Sequence, residues 1–188
     1  MSLRWPPRPL GLGTPLNLAS SATETRELLR RSWWLVPLLG VVTPISMLAI
    51  DRVLFAGASL ERVRALGSEP LAFRLLVVVY SGVTEELIYR LLLSTLAASL
   101  AHRALRGAGA IRKPLAQWLG IVVAAWFFGL AHVGNLPDVA HPVLRAIAVN
   151  SVAGVVLGWL YWWRGLELAV LTHMAAIVVL YVALPPFL

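Results

Sequence analysis

The 188-residue chain contains no cysteine, so disulfides, Cys-ligated metals and thiol chemistry are excluded. Charge is scarce. Only 13% of the residues are Asp, Glu, Lys or Arg, against about a quarter in soluble domains. No Gly-x-Ser-x-Gly segment is present, so a serine nucleophile elbow is missing. Neither Gly-x-Gly-x-x-Gly nor a P-loop occurs, which argues against nucleotide cofactors. Residues 1–32 hold Pro6, Pro7, Pro9 and Pro15 and no early apolar core. They do not read as a cleavable signal peptide, so the first apolar run is expected to remain as an anchor. No long internal repeat and no second domain are apparent.

What is present is apolar. The chain is 59% hydrophobic with a mean hydropathy of +0.79. A soluble protein of this size has too little interior to bury so much apolar surface. The expected fold is all-α, a polytopic transmembrane helical bundle with about five membrane spans, near 33–50, 71–102, 115–132, 143–163 and 166–184. Residues 1–32 form a polar arm, 33–70 the first span and a charged loop, and 71–184 the functional core. The second span is too long for one perpendicular crossing, and Ser81-Gly82 is its expected bend.

The net charge of +7 comes from fifteen Arg and one Lys against nine acids. These bases lie between apolar runs rather than on one amphipathic face, so the pattern is topological and no nucleic acid partner is expected. With the N-terminus inside, ten basic residues fall on the inner side and five on the outer: Arg52, Arg62, Arg64, Arg74 and Arg145. That asymmetry places the N-terminus in the cytoplasm. Abundant Ala, Gly, Leu, Pro and Arg suggest a GC-rich bacterial genome and hence the inner membrane.

Ionisable groups inside lipid are costly and call for a role. The second span carries Glu85, Glu86 and Arg90 within six residues. On an α-helix Glu86 and Arg90 are i,i+4 and share a face, whereas Glu85 is turned about 140° from Arg90. Arg90 then neutralises Glu86 and leaves Glu85 less fully paired, the condition of a general base. An ion pair that only fixes packing, or a proton relay, explains the same motif. His132 ends the third span, and His173 lies several residues inside the fifth. Each alone is compatible with an interhelical hydrogen bond. By counting, His132 falls near the outer end of its span and His173 near the inner end of its own, so a shared site needs them to converge. His102, Asp138 and His141 read as loop residues.

Together the set resembles the CPBP family of CAAX proteases and bacteriocin-processing enzymes. Glu85-Glu86-x-x-x-Arg90 matches its first motif and Phe128-x-x-x-His132 its second. The third begins at His173, but its fourth place is Ile177 instead of Asn or Asp. Gly154, Gly158 and Gly165 resemble the run into that motif, and the likeness covers about 71–184.

The resemblance implies an intramembrane endopeptidase acting on a membrane-anchored protein or peptide, with membrane lipids as the other partner. The substrate would be a leader peptide, a C-terminal sorting helix or a prenylated tail. By the same resemblance Glu85 activates water, Glu86 with Arg90 supports it, His132 positions water, and His173 donates to the oxyanion. Ile177 removes one implied donor, and Asn150 on the fourth span is the candidate substitute. No cofactor is expected. Zinc on Glu85, His132 and His173 is the alternative, but the chain has no His-Glu-x-x-His spacing. A non-catalytic member serving immunity or partner binding is the competing function. A small transporter is a third, disfavoured because no inverted repeat appears.

Overall fold

A computed structural model describes residues 27, 30–55, 57, 59–135 and 140–188. Most of the polar arm at 1–32, and Asp138, lie outside the described residues. The described residues are almost entirely helical, with no strand among them. We number the helices α1 (Leu35–Leu54), α2 (Ser59–Gly67), α3 (Leu71–Glu85), α4 (Thr95–Ala104), α5 (Arg112–Ala131), α6 (Pro142–Arg164) and α7 (Leu166–Val178). A π-helical segment, Glu86–Ser94, joins α3 to α4 without a break, and a second, Val179–Ala183, extends α7.

Four stretches are long and apolar enough to cross a membrane: Leu35–Leu54, Gly109–Ala131, Pro142–Arg164 and Leu166–Phe187. The continuous rod from Leu71 to Ala104 carries Glu85, Glu86 and Arg90 at its middle, and with it the bundle has the expected five long helices. Only 22–44% of each apolar span is buried inside the bundle. The apolar remainder, such as Leu38, Val41, Val42 and Ile45 on α1, has lipid as its only compatible solvent.

Local chemistry sets the boundaries. Pro70 precedes α3 in an extended conformation, as a residue that cannot donate within a helix. His141 adopts a left-handed conformation before Pro142, whose fixed φ starts α6. Gly165 separates α6 from α7 at φ 111°, a conformation that L side chains rarely adopt, while its N–H bonds to the carbonyls of Leu160 and Tyr161.

The core lies between α5, α6 and α7, around Ile121, Phe128, Leu157, Leu160, Tyr161 and Trp162. Small residues bring α5 and α6 together. A Cβ on Gly154 would stand 2.6 Å from Ala125 Cα, and one on Gly129 would stand 2.7 Å from Ile147 Cα. In lipid such close approach is a main source of helix association, because no hydrophobic effect separates helix from solvent.

Several boundaries differ from the sequence expectation. Residues 51–70 are not simply a loop. α1 runs on to Leu54, and α2 follows because Asp51 Oδ2 accepts the Ser59 N–H at 2.8 Å while the Asp51 carbonyl accepts from Phe55 and Gly57. Arg145, counted among the outer charges, is not solvated. It lies in α6, 4% exposed, with its Nε 2.6 Å from Asp51 Oδ1. The second span does not break at Ser81-Gly82, which are α-helical. Its irregularity is the π segment five residues later. His102 belongs to α4 and not to a loop.

The close approach of α5 and α6 makes Gly154 a sensitive position. Gly154→Ala drives a methyl group into the α5 backbone, which cannot move aside as a flexible side chain can. Overpacking of this kind costs about 1–3 kcal/mol. A lowered unfolding midpoint of the purified protein in detergent is expected, and an unchanged midpoint contradicts the packing described.

Candidate active site

The π segment shapes the centre of the site. In it Glu86 and Arg90 are both 0% exposed, and Arg90 Nε lies 3.2 Å from Glu86 Oε2. The other carboxylate oxygen, Oε1, lies 2.9 Å from His173 Nδ1 on α7. A carboxylate that pairs with arginine accepts hydrogen bonds and donates none, so His173 Nδ1 carries the proton. The Arg90 guanidinium sits 4.8 Å above the centroid of the Phe128 ring, a cation–π contact that replaces some of its lost hydration. None of its three nitrogens makes a hydrogen bond, so its tie to Glu86 is an ion pair.

Phe128 organises the neighbouring rings. Its ring meets Tyr89 edge-on at 5.2 Å, His132 at 4.6 Å and His173 at 6.0 Å between centroids. His132 follows the last turn of α5, and its Nδ1 lies 2.7 Å from the Phe128 carbonyl. A carbonyl only accepts, so Nδ1 carries the proton here too. When neutral, both imidazoles therefore hold a lone pair at Nε2.

Glu85 differs from Glu86. Its side chain is 24% exposed, and its Oε2 is 3.8 Å from His173 Nε2, longer than a direct hydrogen bond and suited to a bridging water. Glu85, His132, Asn150, His173 and Ile177 all line one cavity of about 380 Å³. Asn150 donates one amide N–H to the Ala146 carbonyl of its own helix at 2.9 Å, leaving the other uncommitted by that bond. Ile177 presents no donor.

The apparent mismatch in depth between His132 and His173 disappears because α7 starts deeper than α5. Trp118 and Trp163 pack at 5.6 Å between ring centroids, so the turn at Gly165 lies near the level of Trp118 rather than of Arg112. Ten residues from Trp118 to Phe128 and eight from Gly165 to His173 then climb ~15 and ~12 Å.

Among the described residues, no group of three or more His, Asp or Glu side chains is placed to hold a metal ion. Glu85, His132 and His173 share the cavity without converging on one coordination point.

Residues 67–179 match the family described as type II CAAX prenyl endopeptidase Rce1-like. The chain belongs to the Rce1-like family. Neither a curated protein nor a solved structure matches it. The stretch shared with Rce1-like proteins contains Glu85, Glu86, Arg90, Phe128, His132, Asn150 and His173, but not α1 or most of α2. Arg62 and Tyr181, like Ser59, line the cavity from outside that stretch.

The sequence reading passed over both, and also over the Asp51–Arg145 pair and the buried bond from Trp162 Nε1 to Ser94 Oγ at 3.0 Å. The signal for the first three was present as charged or aromatic residues near span ends, but nothing in the chain order connects 51 with 145 or 62 with 181.

The Glu86 carboxylate serves two buried groups at once, so losing its charge strands both. Glu86→Gln leaves Arg90 uncompensated in the interior, and removing one partner of a buried pair costs about 3–5 kcal/mol. Lower membrane accumulation and a lower unfolding midpoint are expected from expression level and thermal unfolding. Wild-type stability in this variant argues against the bridging role.

Proposed function

We propose that this Rce1-like chain hydrolyses a peptide bond of a membrane-anchored substrate with a water activated by Glu85. The observation that carries the reading is the contrast between the two adjacent carboxylates. Glu86 is sealed, ion-paired with Arg90 and hydrogen-bonded to His173, whereas Glu85 opens to the cavity beside His173 Nε2. One acid is structural and the other is available.

In this mechanism a water bonds to Glu85 and to the lone pair of His132 Nε2. Its oxygen attacks the scissile carbonyl carbon, a C–O bond forms, the carbonyl electron pair moves to oxygen, and a proton passes to Glu85. His173 Nε2 takes up a proton from this exchange and then donates it. As an imidazolium it serves the oxyanion or the leaving nitrogen; as a neutral ring it has no proton at Nε2 to give. Collapse of the tetrahedral intermediate breaks the C–N bond, and the departing nitrogen takes up the proton. The sum is one water consumed, one carboxylic acid and one amine formed. Glu86 fixes the His173 ring by holding Nδ1–H, and Arg90 keeps Glu86 ionised. Asn150 has one N–H left to bind the peptide backbone.

Apolar walls support a lipid-linked or helical substrate. Met47 and Leu48 from α1 face the cavity together with Phe73 and Val77 from α3. α1 and α3 make almost no contact with each other. A prenyl chain or an apolar helix can therefore enter between them from the bilayer. The name of the family favours a prenylated C-terminal tail, and a leader peptide or sorting helix has the same requirement for an apolar entry.

Glu85→Gln tests the chemistry. It keeps the shape and removes the base. Cleavage of an internally quenched, farnesylated C-terminal peptide is expected to vanish while the unfolding midpoint stays at the wild-type value. Full activity in Glu85→Gln removes the mechanism, and an inert but folded wild type favours the non-catalytic alternative.

The orientation of the chain belongs to the same proposal, with the N-terminus in the cytoplasm of a bacterial inner membrane. Because the chain has no cysteine, a single Gly107→Cys gives a unique label in the basic connection between α4 and α5, at a position with open space around it. An impermeant maleimide is expected to react in inside-out vesicles and not in intact spheroplasts; the reverse pattern inverts the topology.

A further inference from the structure

Ile177 occupies the place where the third motif of the CPBP family carries Asn or Asp, and the cavity needs a donor for the developing oxyanion. His173, Ile177 and Tyr181 follow one another at four-residue intervals, and all three line the cavity. Tyr181 is half-buried, and it lies in the second π segment, where the Leu184 N–H bonds back to the Val179 carbonyl at 2.9 Å. Such segments are frequent at functional sites because the extra residue re-aims the side chains that follow.

Two arginines hold Tyr181. Arg74 Nη1 donates to its backbone carbonyl at 2.9 Å, and Arg62 from α2 hydrogen-bonds its hydroxyl oxygen. Arginine can only donate. The bond from Arg62 therefore uses the phenol oxygen as acceptor and leaves the O–H proton available as a donor. Side chains on a helix lean toward its N-terminus, so the Tyr181 ring reaches back over the turn that holds Ile177. Tyr181 and Glu85 line the same cavity. Asn150, on α6, has already committed one N–H to Ala146.

We propose that Tyr181 is the oxyanion donor that position 177 lacks, with Arg62 and Arg74 as its positioning residues. This rests on the hydrolytic reading of the site. As the carbonyl oxygen gains negative charge, the phenol O–H strengthens its bond to it without giving up its proton, and the Arg62 cation on the same oxygen makes the hydroxyl a better donor. A donor that engages only the charged oxygen raises kcat rather than substrate affinity.

The test uses the full chain in lipid nanodiscs and the quenched farnesylated peptide. Tyr181→Phe retains the ring and removes only the hydroxyl. A fall in kcat of ~10²–10³-fold is expected, with KM changed by a few-fold at most and the unfolding midpoint retained. Adding Ile177→Asn to Tyr181→Phe places an amide at the vacant position, and a recovery of at least ~10-fold in kcat is expected. If Tyr181→Phe lowers the midpoint, the double variant decides. Turnover regained without regained stability supports the role, and no regain overturns it. Wild-type kcat in Tyr181→Phe overturns the proposal while leaving Glu85-dependent hydrolysis intact. A wild-type protein that does not cleave the peptide overturns the hydrolytic reading and this inference together.

Discussion

The Glu86 carboxylate is the interaction on which the interior depends. It is fully buried, and its two oxygens face Arg90 and His173. An isolated carboxylate in such surroundings would be prohibitively expensive, and so would an isolated guanidinium. Each is tolerable only because the other is within 3.2 Å and because Phe128 offers its ring face to the cation. The consequence is mechanical as well as electrostatic. Glu86 and Arg90 belong to the π segment, Phe128 to α5 and His173 to α7, so one charge pair fixes three helices in rotation and depth. His173 then has one possible ring orientation, and its second nitrogen is delivered to Glu85.

The cavity exists because packing is uneven across the bundle. On one side, Gly129 and Gly154 let α5 and α6 approach to backbone contact, and the large rings of Tyr161 and Trp162 fill the space toward the π segment. On the other side, α1 and α3 stand apart and share only the cavity they both line. A bilayer tolerates this opening, since apolar side chains facing lipid incur no cost. The polar groups inside cannot face lipid in the same way, and they are held by bonds from the protein: His132 by its own helix, His173 by Glu86, Tyr181 by Arg62 and Arg74.

The sequence made the helices and the chemistry-bearing residues legible, but not the way they meet. Composition and apolar runs placed five long helices, because burial in lipid leaves the chain few other choices. The i,i+4 spacing of Glu86 and Arg90 foretold their pairing, which needs no tertiary information. The π geometry was invisible, since a π segment differs from α by one inserted residue and no residue type marks it. Counting depth from span ends misjudged His132 against His173, because it took the turn at Gly165 to lie at the membrane surface. Arg145 was counted as an outer charge since it stands near the start of its span, and nothing nearby in sequence neutralises it. Its partner, Asp51, is ninety-four positions away.

That misassignment changes the meaning of the charge count behind the topology. Of the five arginines assigned to the outer side, Arg145 is buried against Asp51, Arg62 and Arg74 bond to Tyr181, and Arg64 donates to the Leu188 carbonyl. Arg52 is exposed on the end of α1. On the opposite side, Arg103 in the last turn of α4 and Arg106 in the connection that follows are exposed. The positive-inside bias acts on charges that are solvated near the membrane ends, because those are the ones that resist translocation. A buried arginine with a carboxylate partner contributes little to that resistance. The same discount applies to the side counted as inner, where Arg30 and Arg31 pair with Glu27 and where Arg112 and Arg164 donate to backbone carbonyls, so solvated charge is scarcer on both sides than the raw count of ten against five. Two of the five, Arg62 and Arg145, line the cavity, and there they act as structural elements of the site rather than as markers of topology.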